Sequence, residues 1–137
     1  IQLKGAFNCI QAVLPEFQKH KLGNVVNINS IYTDSTPPGK MTGYVMAKSA
    51  LSALTKSLAV EFGSQGIRFN TVSPGMTETG LISDIPEKTR LVTAMQTPLR
   101  RLAQPIDIAG VIAFLLSEEA KHITGETIRV CGGTVMI

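Results

Sequence analysis

The stretch GNVVNINSIYTDSTPPGKMTGYVMAK, residues 23–48, decides the fold of this chain. It begins with a Gly-Asn turn and three β-branched residues, Val25, Val26 and Ile28. Short β-branched runs of this kind predict a buried strand. Asn29 and Ser30 stand where that strand ends. Since ligands of open parallel sheets bind beyond the carboxyl ends of strands, Ser30 is a candidate site residue.

The second half of the stretch predicts a loop and then a helix. Residues 34–39 end in Pro-Pro-Gly, which continues neither a strand nor a helix. Thr42 is the predicted cap of the helix that follows, and Tyr44 lies in its first turn. Tyr44 and Lys48 are four positions apart, so both side chains fall on one side of that helix.

The Tyr44–Lys48 spacing has a chemical use. An ammonium beside a phenol favours the charged form of the phenol. A phenol adjusted in this way donates or accepts a proton near neutral pH, which is general acid–base catalysis. Ser30, at the facing strand end, can donate a hydrogen bond to the same substrate oxygen. Without this context, the pair would be interpreted as two ordinary surface residues.

Helices and strands are predicted to alternate along the rest of the chain. Residues 1–19 and 42–62 carry apolar residues every three or four positions on one face and smaller residues on a second face. Pro15 predicts a kink or an early end in the first helix. A helix with two apolar faces is covered on both sides, by its own sheet and by another helix or subunit.

Further along, residues 67–72 predict a second strand and 126–131 a third, with a Pro-Gly loop at 74–80. Residues 81–98 are irregular and contain two prolines. Pro105 begins a helix whose residues are apolar nearly all round, which predicts burial on most sides. Strand, helix, strand in this order predicts an α/β protein with a parallel sheet.

Composition excludes several functional classes. The 137 residues are 44% hydrophobic and 17% charged, which is typical of a globular protein. The net charge of +3, with few aromatic residues, does not fit a nucleic-acid-binding surface, and no apolar run spans a membrane. Cys9 and Cys131 predict buried reduced thiols in a cytoplasmic protein, and neither histidine has metal-ligand spacing. Because Ile1 rather than Met stands first, we expect a fragment or a trimmed product.

These pieces together resemble the short-chain dehydrogenase/reductase family. In that family a strand serine precedes a Tyr-x-x-x-Lys helix by a dozen or so residues, as Ser30 precedes Tyr44 here. The segments PLRRLAQPIDIAGVIAFLLS and ITGETIRV and the terminal Gly-Gly are similar to the C-terminal part of bacterial 3-oxoacyl-(acyl-carrier-protein) reductases. The resemblance covers essentially the whole chain.

The resemblance implies roles for individual residues in hydride transfer between NAD or NADP and a carbonyl or alcohol substrate. Tyr44 protonates the carbonyl oxygen, Lys48 supports it and holds the nicotinamide ribose, and Ser30 orients the carbonyl. The implied cofactor-binding residues are Tyr44, Lys48, Pro74, Gly75, Thr77 and Thr79, and the implied substrate-binding residues are Ser30, Tyr32 and Met76. Gln2 stands at the position of the family's catalytic asparagine, which takes part in a proton relay to the lysine. Because the side chain of Gln2 differs, the resemblance does not decide whether this chain keeps that relay.

The resemblance also implies the larger architecture. Residues 1–137 correspond to the C-terminal half of a Rossmann-type doubly wound parallel sheet, with residues 80–104 as a substrate-covering segment. No Gly-rich dinucleotide fingerprint follows a first strand in this sequence, so we expect the isolated chain to be inactive and its first strand to lie at an open edge. The family pairs helices 1–19 and 42–62 with their symmetry copies, which implies a homotetramer.

The sequence also fits other functions. One alternative is a non-catalytic binding or assembly module of the same fold, which the glutamine at position 2 favours. Another alternative is a sugar or polyol dehydrogenase of the same family, and a further one is an enzyme that epimerises or dehydrates a nucleotide sugar. The similarity to 3-oxoacyl reductases in the C-terminal segments favours a 3-oxoacyl thioester as substrate.

Overall fold

Helices and strands alternate along the chain, and this alternation produces a parallel sheet. The computed structural model describes residues 2–137, so Ile1 of the predicted first helix lies outside the described residues. The elements are α1 (Gln2–His20), β1 (Gly23–Ile28), α2 (Thr42–Phe62), β2 (Ile67–Pro74), α3 (Glu87–Gln96), α4 (Pro105–Leu116) and β3 (Thr127–Val130). The predicted α/β class and the three predicted strands are confirmed.

The sheet has the order β1-β2-β3, and both neighbouring pairs are parallel. Val25 pairs with Phe69, and Val72 pairs with Ile128. Parallel strands need a crossover through another element. Here α2 connects β1 to β2, and the longer segment with α3 and α4 connects β2 to β3. Among the described residues β1 has no partner on its outer side, as predicted.

Helices α1 and α2 cover one face of the sheet. Their contact with β2 forms a cluster of buried apolar residues: Ile10, Leu58, Ala59, Phe62, Ile67 and Phe69. Phe69 is fully buried, and its ring lies 6.2 Å from that of Phe62 at a tilted angle. The predicted inner stripe of α2 is therefore confirmed, and it fixes the helix that carries Tyr44 and Lys48.

A buried chain of polar groups fixes α2 further along the same face. The Asn27 side-chain amide donates to the Thr55 hydroxyl over 2.9 Å, and that hydroxyl donates to the Leu51 carbonyl. Thr71 on β2 also contacts Thr55, at 3.2 Å between the hydroxyl oxygens. Buried polar groups are costly unless they are paired. This bonding therefore fixes the position of α2 along the strands more strictly than apolar contacts do.

Helix α4 covers the opposite face, and here the sequence prediction is wrong. Leu115 is the buried residue of α4 and packs with Val72 and Ala120. Ile106 is 75% exposed, and Phe114 and Leu116 are almost half exposed. One helix side rests on the sheet, but within residues 2–137 no element covers the other side, so an apolar composition all round does not give burial all round.

Three local predictions also need correction. Helix α1 does not end at Pro15 but continues to His20, and Leu14 and Phe17 on either side of the proline pack against the core. Thr42 is the first residue of α2 rather than its cap, and the capping position belongs to Met41. Cys9 is exposed on α1, whereas Cys131 is buried as predicted.

The segment predicted to be irregular contains regular structure. Residues 81–98 include helix α3 and most of a short 3-10 turn at Gly80–Ile82. No residue of α3 is buried, and three of its apolar residues, Leu91, Val92 and Met95, are largely exposed. Its weak apolar periodicity explains why the sequence pattern missed it. Among the described residues no helix is both long enough and apolar enough to cross a membrane.

Candidate active site

The carboxyl ends of the three strands meet at one edge of the sheet. Ser30 follows β1, Gly75 follows β2, and Cys131 follows β3. This edge is where an open parallel sheet binds its ligands. A pocket of about 220 Å³ opens there, and its wall is formed by Ile31, Tyr32, Ser35, Thr36, Gly75, Met76, Thr93, Thr97, Arg101, Leu102, Ala103, Cys131, Thr134 and Val135.

Ser30 is held at the end of β1 by its neighbours. The Asn29 amide donates to the Val72 carbonyl over 2.8 Å, so the chain stays attached to β2 until the serine. Ser30 is 6% exposed and has an extended backbone. Its hydroxyl oxygen accepts the Tyr32 amide over 3.3 Å and starts the 3-10 turn Ile31–Thr33. Because the oxygen accepts this bond, the hydroxyl proton remains available for a ligand oxygen.

Tyr44 and Lys48 lie together near the start of α2, as the spacing predicted. The Lys48 Nζ atom is 5.8 Å from the centroid of the Tyr44 ring, within the range of about 6 Å for a cation–π contact. The same ammonium donates to the Ile28 carbonyl over 2.6 Å. Burial lowers the pKa of Lys48 below its ordinary 10.5. The lysine is therefore anchored to the strand end that carries Ser30.

Gln2 is the predicted site residue that lies on α1. It is exposed at the first position of α1. Within residues 2–137 no hydrogen bond joins it to Lys48, whose ammonium donates to Ile28 instead. A role for Gln2 stays a prediction.

The loop after β2 is fixed by short contacts on two sides. A Cβ atom on Gly75 would lie 3.0 Å from the Cys131 Cα atom, so the loops after β2 and β3 pack closely. The Ala103 amide donates to the Met76 carbonyl over 3.1 Å, and the Glu78 amide donates to the Ala103 carbonyl over 2.9 Å. This short ladder connects the loop to residues 80–104.

The two threonines of this loop differ in their surroundings. Thr77 is half-buried, pairs with Ala103, and donates its hydroxyl proton to the Gly75 carbonyl over 3.0 Å. Thr79 is exposed, and its hydroxyl lies 3.5 Å from the Thr77 carbonyl. Pro74 ends β2 just before them. Thr79 therefore presents the more accessible hydroxyl of the two.

Residues 80–104 form part of the pocket wall, together with two predicted substrate residues. Tyr32 and Met76 both line the pocket, as do Thr93 and Thr97 from this segment. Ser30, Tyr44 and Lys48 are not among the lining residues, although Ile31 and Tyr32 directly follow the serine. The pocket is thus next to the Ser30 strand end rather than centred on the Tyr44–Lys48 pair.

An ion pair that was not predicted from the sequence lies beside this pocket, and one of its members, Arg101, is part of the pocket wall. The two guanidinium nitrogens of Arg101 bind the two carboxylate oxygens of Asp107, at 2.6 and 3.0 Å. The Gln104 amide also donates to Asp107, over 2.7 Å. The hydrogen bond from Arg101 is the main cause that lowers the pKa of Asp107 to about 2. The run Gln104-Pro105-x-Asp107, a helix-start pattern, is the signal that could have identified this carboxylate.

Metal chemistry has no support in the described part of the chain. No group of three or more His, Cys, Asp or Glu side chains in residues 2–137 is arranged to hold a metal ion. The expected absence of a metal centre remains an expectation.

Comparisons with known proteins give the class to which this fold and site belong. Residues 1–135 match the family model described as enoyl-(acyl carrier protein) reductase. A 3-oxoacyl-[acyl-carrier-protein] reductase FabG of Staphylococcus aureus (strain Mu50 / ATCC 700699) is 40% identical over 134 residues, covering 98% of this chain and 54% of the relative. The chain therefore spans about half the length of the curated relatives that it matches.

Two solved structures share the fold. A 3-oxoacyl-[acyl-carrier protein] reductase of Brucella melitensis with bound NAD has a TM-score of 0.91 and 34% identity, covering all of this chain and 50% of that one. A gluconate 5-dehydrogenase of Burkholderia cenocepacia, in complex with NADP and tartrate, has a TM-score of 0.93 and 29% identity, covering 98% and 53%.

The chain belongs to the short-chain dehydrogenase/reductase family, within the group whose family model is described as enoyl-(acyl carrier protein) reductase. Its three strands and flanking helices correspond to half of a Rossmann-type doubly wound sheet, as the sequence predicted.

Proposed function

We propose that the full-length protein is an NAD- or NADP-dependent oxidoreductase that transfers a hydride between the nicotinamide and a carbonyl or alcohol substrate. The observation that carries this proposal is the position of Lys48, whose ammonium lies beside the Tyr44 ring and donates to the Ile28 carbonyl at the Ser30 strand end. The names of the relatives, which are oxidoreductases, also support it.

The donor groups of this site fit a nicotinamide nucleotide. An ammonium has three N–H donors, and one of those of Lys48 is taken by Ile28. Two donors remain for the hydroxyl groups of a ribose. The exposed Thr79 hydroxyl and the backbone of Pro74, Gly75 and Thr77 are the proposed contacts for the carboxamide and phosphate groups. One structure with NAD and one with NADP among the neighbours support both cofactors.

The chemistry follows from the three side chains. The nicotinamide cofactor supplies the hydride when it is bound. Ser30 donates its hydroxyl proton in a hydrogen bond to the substrate oxygen, which polarises and orients the carbonyl. Tyr44 gives the proton to the oxygen during reduction and takes it back during oxidation. Lys48 stabilises the phenolate form because its positive charge lies beside the ring.

A 3-oxoacyl thioester is the first candidate substrate. Relatives at 40% and 38% identity are named 3-oxoacyl reductases, while another at 38% is named only as an oxidoreductase. In the pocket, Arg101 is neutralised by Asp107, so the wall offers no free guanidinium for a substrate carboxylate. Tyr32, Met76 and Leu102 combine one phenol with apolar surface, which suits a short acyl chain with a ketone.

A polyhydroxylated substrate is the second candidate. Six residues of the pocket wall carry a hydroxyl group: Tyr32, Ser35, Thr36, Thr93, Thr97 and Thr134. A neighbour at 29% identity is named a gluconate 5-dehydrogenase. The hydroxyls of Ser35, Thr93, Thr97 and Thr134 already donate to backbone carbonyls, so they offer their oxygens as acceptors for the hydroxyl protons of a ligand.

A substrate panel tests the proposal. The full-length protein is assayed by the absorbance of the reduced nicotinamide. Reduction is measured with NADH or NADPH and either acetoacetyl-coenzyme A or crotonyl-coenzyme A. Oxidation is measured with gluconate and the oxidised cofactors. We expect reduction of acetoacetyl-coenzyme A with one cofactor preferred. Turnover of gluconate alone would select the second candidate. Cofactor binding without turnover of any carbonyl or alcohol would support a non-catalytic module instead.

We propose a homotetramer formed through α1 and α2. Both helices expose large apolar side chains on their outer sides: Phe7, Val13, Met46 and Val60, the last at 87% exposure. Contiguous exposed apolar surface is typical of interfaces. Since Cys9 and Cys131 are both free thiols, we also propose a reducing compartment such as the cytoplasm.

Light scattering at micromolar concentration measures this assembly, and we expect a tetramer for the full-length protein. Val60→Glu places a charge in the proposed interface and is expected to give smaller species. Leu81→Glu is the matched control, because Leu81 is 89% exposed and lies outside both helices. A monomer for the unmodified protein would contradict the proposal.

A further inference from the structure

A half-buried ion pair connects the loop after β1 to the last strand. The Arg129 Nε atom donates to the Asp34 Oδ2 atom over 2.8 Å, between residues 95 positions apart. The two side chains are only 24% and 20% exposed. Arg129 lies opposite Ser73 in the sheet register, so the contact passes across the end of β2. It thus joins the turn after β1 to β3, at the edge of the sheet that holds the candidate site.

The carboxylate of Asp34 also reaches the turn that follows Ser30. The Thr33 hydroxyl lies 3.3 Å from the Asp34 Oδ1 atom and 2.9 Å from the Ser30 carbonyl. Its single proton goes to one of these oxygens at a time, so the two contacts share it. Asp34 also closes the 3-10 turn, because its amide donates to the Ile31 carbonyl over 3.0 Å. The aspartate therefore holds both ends of the Ile31–Thr33 turn.

The same contacts continue to α2. The Asn29 side-chain amide lies 3.4 Å from the Thr33 hydroxyl and also donates to the Ser52 hydroxyl. Ser52 is one helical turn beyond Lys48. Arg129, Asp34, Thr33, Asn29 and Ser52 thus form one connected set of side chains around Ser30.

Beyond Asp34, the Ser35 hydroxyl supports the turn by donating to the Ile31 carbonyl over 2.9 Å. Residues 36–40 are exposed, and they contain the Pro-Pro-Gly sequence. On that side of Ser30, the ion pair with Arg129 attaches the turn to β3, in addition to the burial of Ile31 within the turn itself. Partly buried pairs are screened less by salt than exposed ones, so this attachment persists at ordinary ionic strength.

We propose that the Asp34–Arg129 pair is a positioning device that sets the Ser30 hydroxyl against Tyr44. Neither residue is assigned a contact with substrate or cofactor, so both act through Ser30. This inference rests on the proposed function, because it needs Ser30 to hold the substrate oxygen. A small misplacement of a group that orients substrate costs turnover more than binding.

The test is a double-mutant cycle in the full-length protein, with acetoacetyl-coenzyme A or, if the panel selects it, gluconate. Asp34→Asn and Arg129→Met each remove one charge of the pair. We expect each to lower kcat about tenfold, with the cofactor Kd changed by less than about twofold. The double variant should be no worse than either single one, since both remove the same contact. In a Ser30→Ala background, Asp34→Asn should have no further effect on kcat.

Two further variants complete the design. Arg129→Lys keeps a cation near Asp34 and should retain most of kcat. Glu16→Gln, the matched control, removes a carboxylate from an exposed ion pair with Lys19 near the end of α1 and should leave kcat unchanged.

Three results would overturn the inference. The first is an unchanged kcat in Asp34→Asn, and the second is a loss of kcat from Asp34→Asn that is as large in the Ser30→Ala background as in the unmodified protein. The third is loss of cofactor binding or of folding in both charge-removing variants, which would show a general role in the fold. Unimpaired turnover in Ser30→Ala alone would instead overturn the proposed function.

Discussion

Replacing Tyr44 with phenylalanine is expected to lower kcat of the full-length protein at least about a hundredfold, the usual scale of acid–base catalysis. The substitution removes one oxygen and keeps the ring, so the cation–π contact with Lys48 is retained. Packing of α2 is also unchanged, because Tyr44 is only half-buried. The loss therefore measures the phenolic proton itself. Steady-state kinetics over a range of pH, in both reaction directions, are the measurement.

Tyr32→Phe is the matched comparison, since it removes the same atom from the other tyrosine of the chain. Tyr32 lines the pocket, so its substitution should change KM for the substrate more than kcat. Lys48→Met should also lower kcat, because it removes the ammonium beside the Tyr44 ring and its hydrogen bond to the Ile28 carbonyl. Near-normal turnover by Tyr44→Phe at neutral pH would contradict the mechanism.

Replacing Phe69 with alanine is expected to cost about 3–5 kcal/mol of the free energy of unfolding. Phe69 is fully buried in the middle strand and contacts the cluster that joins α1, α2 and β2. Its removal leaves a cavity next to Phe62 and Leu58 of α2 and Ile10 of α1, and side chains held by two different helices cannot all move inward. A loss of this size is a large fraction of the stability of an ordinary domain.

Urea denaturation at fixed protein concentration measures this effect. Fixed concentration is needed because assembly stabilises the folded state. Leu81→Ala is the control, since an 89% exposed side chain should change stability by no more than about 0.5 kcal/mol. A loss below about 1 kcal/mol for Phe69→Ala would mean that the core repacks around the cavity.

Periodic elements were predictable from the sequence, and their surroundings were not. The helix over 42–62 has the predicted bounds because a long apolar stripe and a following Gly-rich turn define it locally. Strand β2 extends two residues past the predicted end, to Pro74, where its pairing with β3 continues. The exposed side of α4 depends on what is packed beside the helix, which no local pattern records.

The candidate site likewise contains some residues that were predictable from the local sequence and others that were not. Tyr44 and Lys48 were predictable because four residues of helix bring them together. The Asp34–Arg129 pair was not, because the strand order β1-β2-β3 and the register of β3 must be known before residues 95 positions apart can be paired. The Arg101–Asp107 pair is an intermediate case, since a local helix-start pattern identifies the aspartate but not the arginine that binds it.

The contact between Lys48 and Ile28 also affects how the open edge of the sheet behaves. The C=O and N–H bonds of one trans peptide group point in opposite directions, and the Asn29 N–H, which shares its peptide group with the Ile28 carbonyl, faces β2. The Ile28 carbonyl therefore faces outward, where it accepts the Lys48 ammonium. Unpaired strand edges recruit other chains into amyloid-like ladders, and a positive charge on the edge opposes this. Lys48, which we propose as a catalytic residue, thus also places a positive charge at this strand end, where it opposes edge-to-edge pairing.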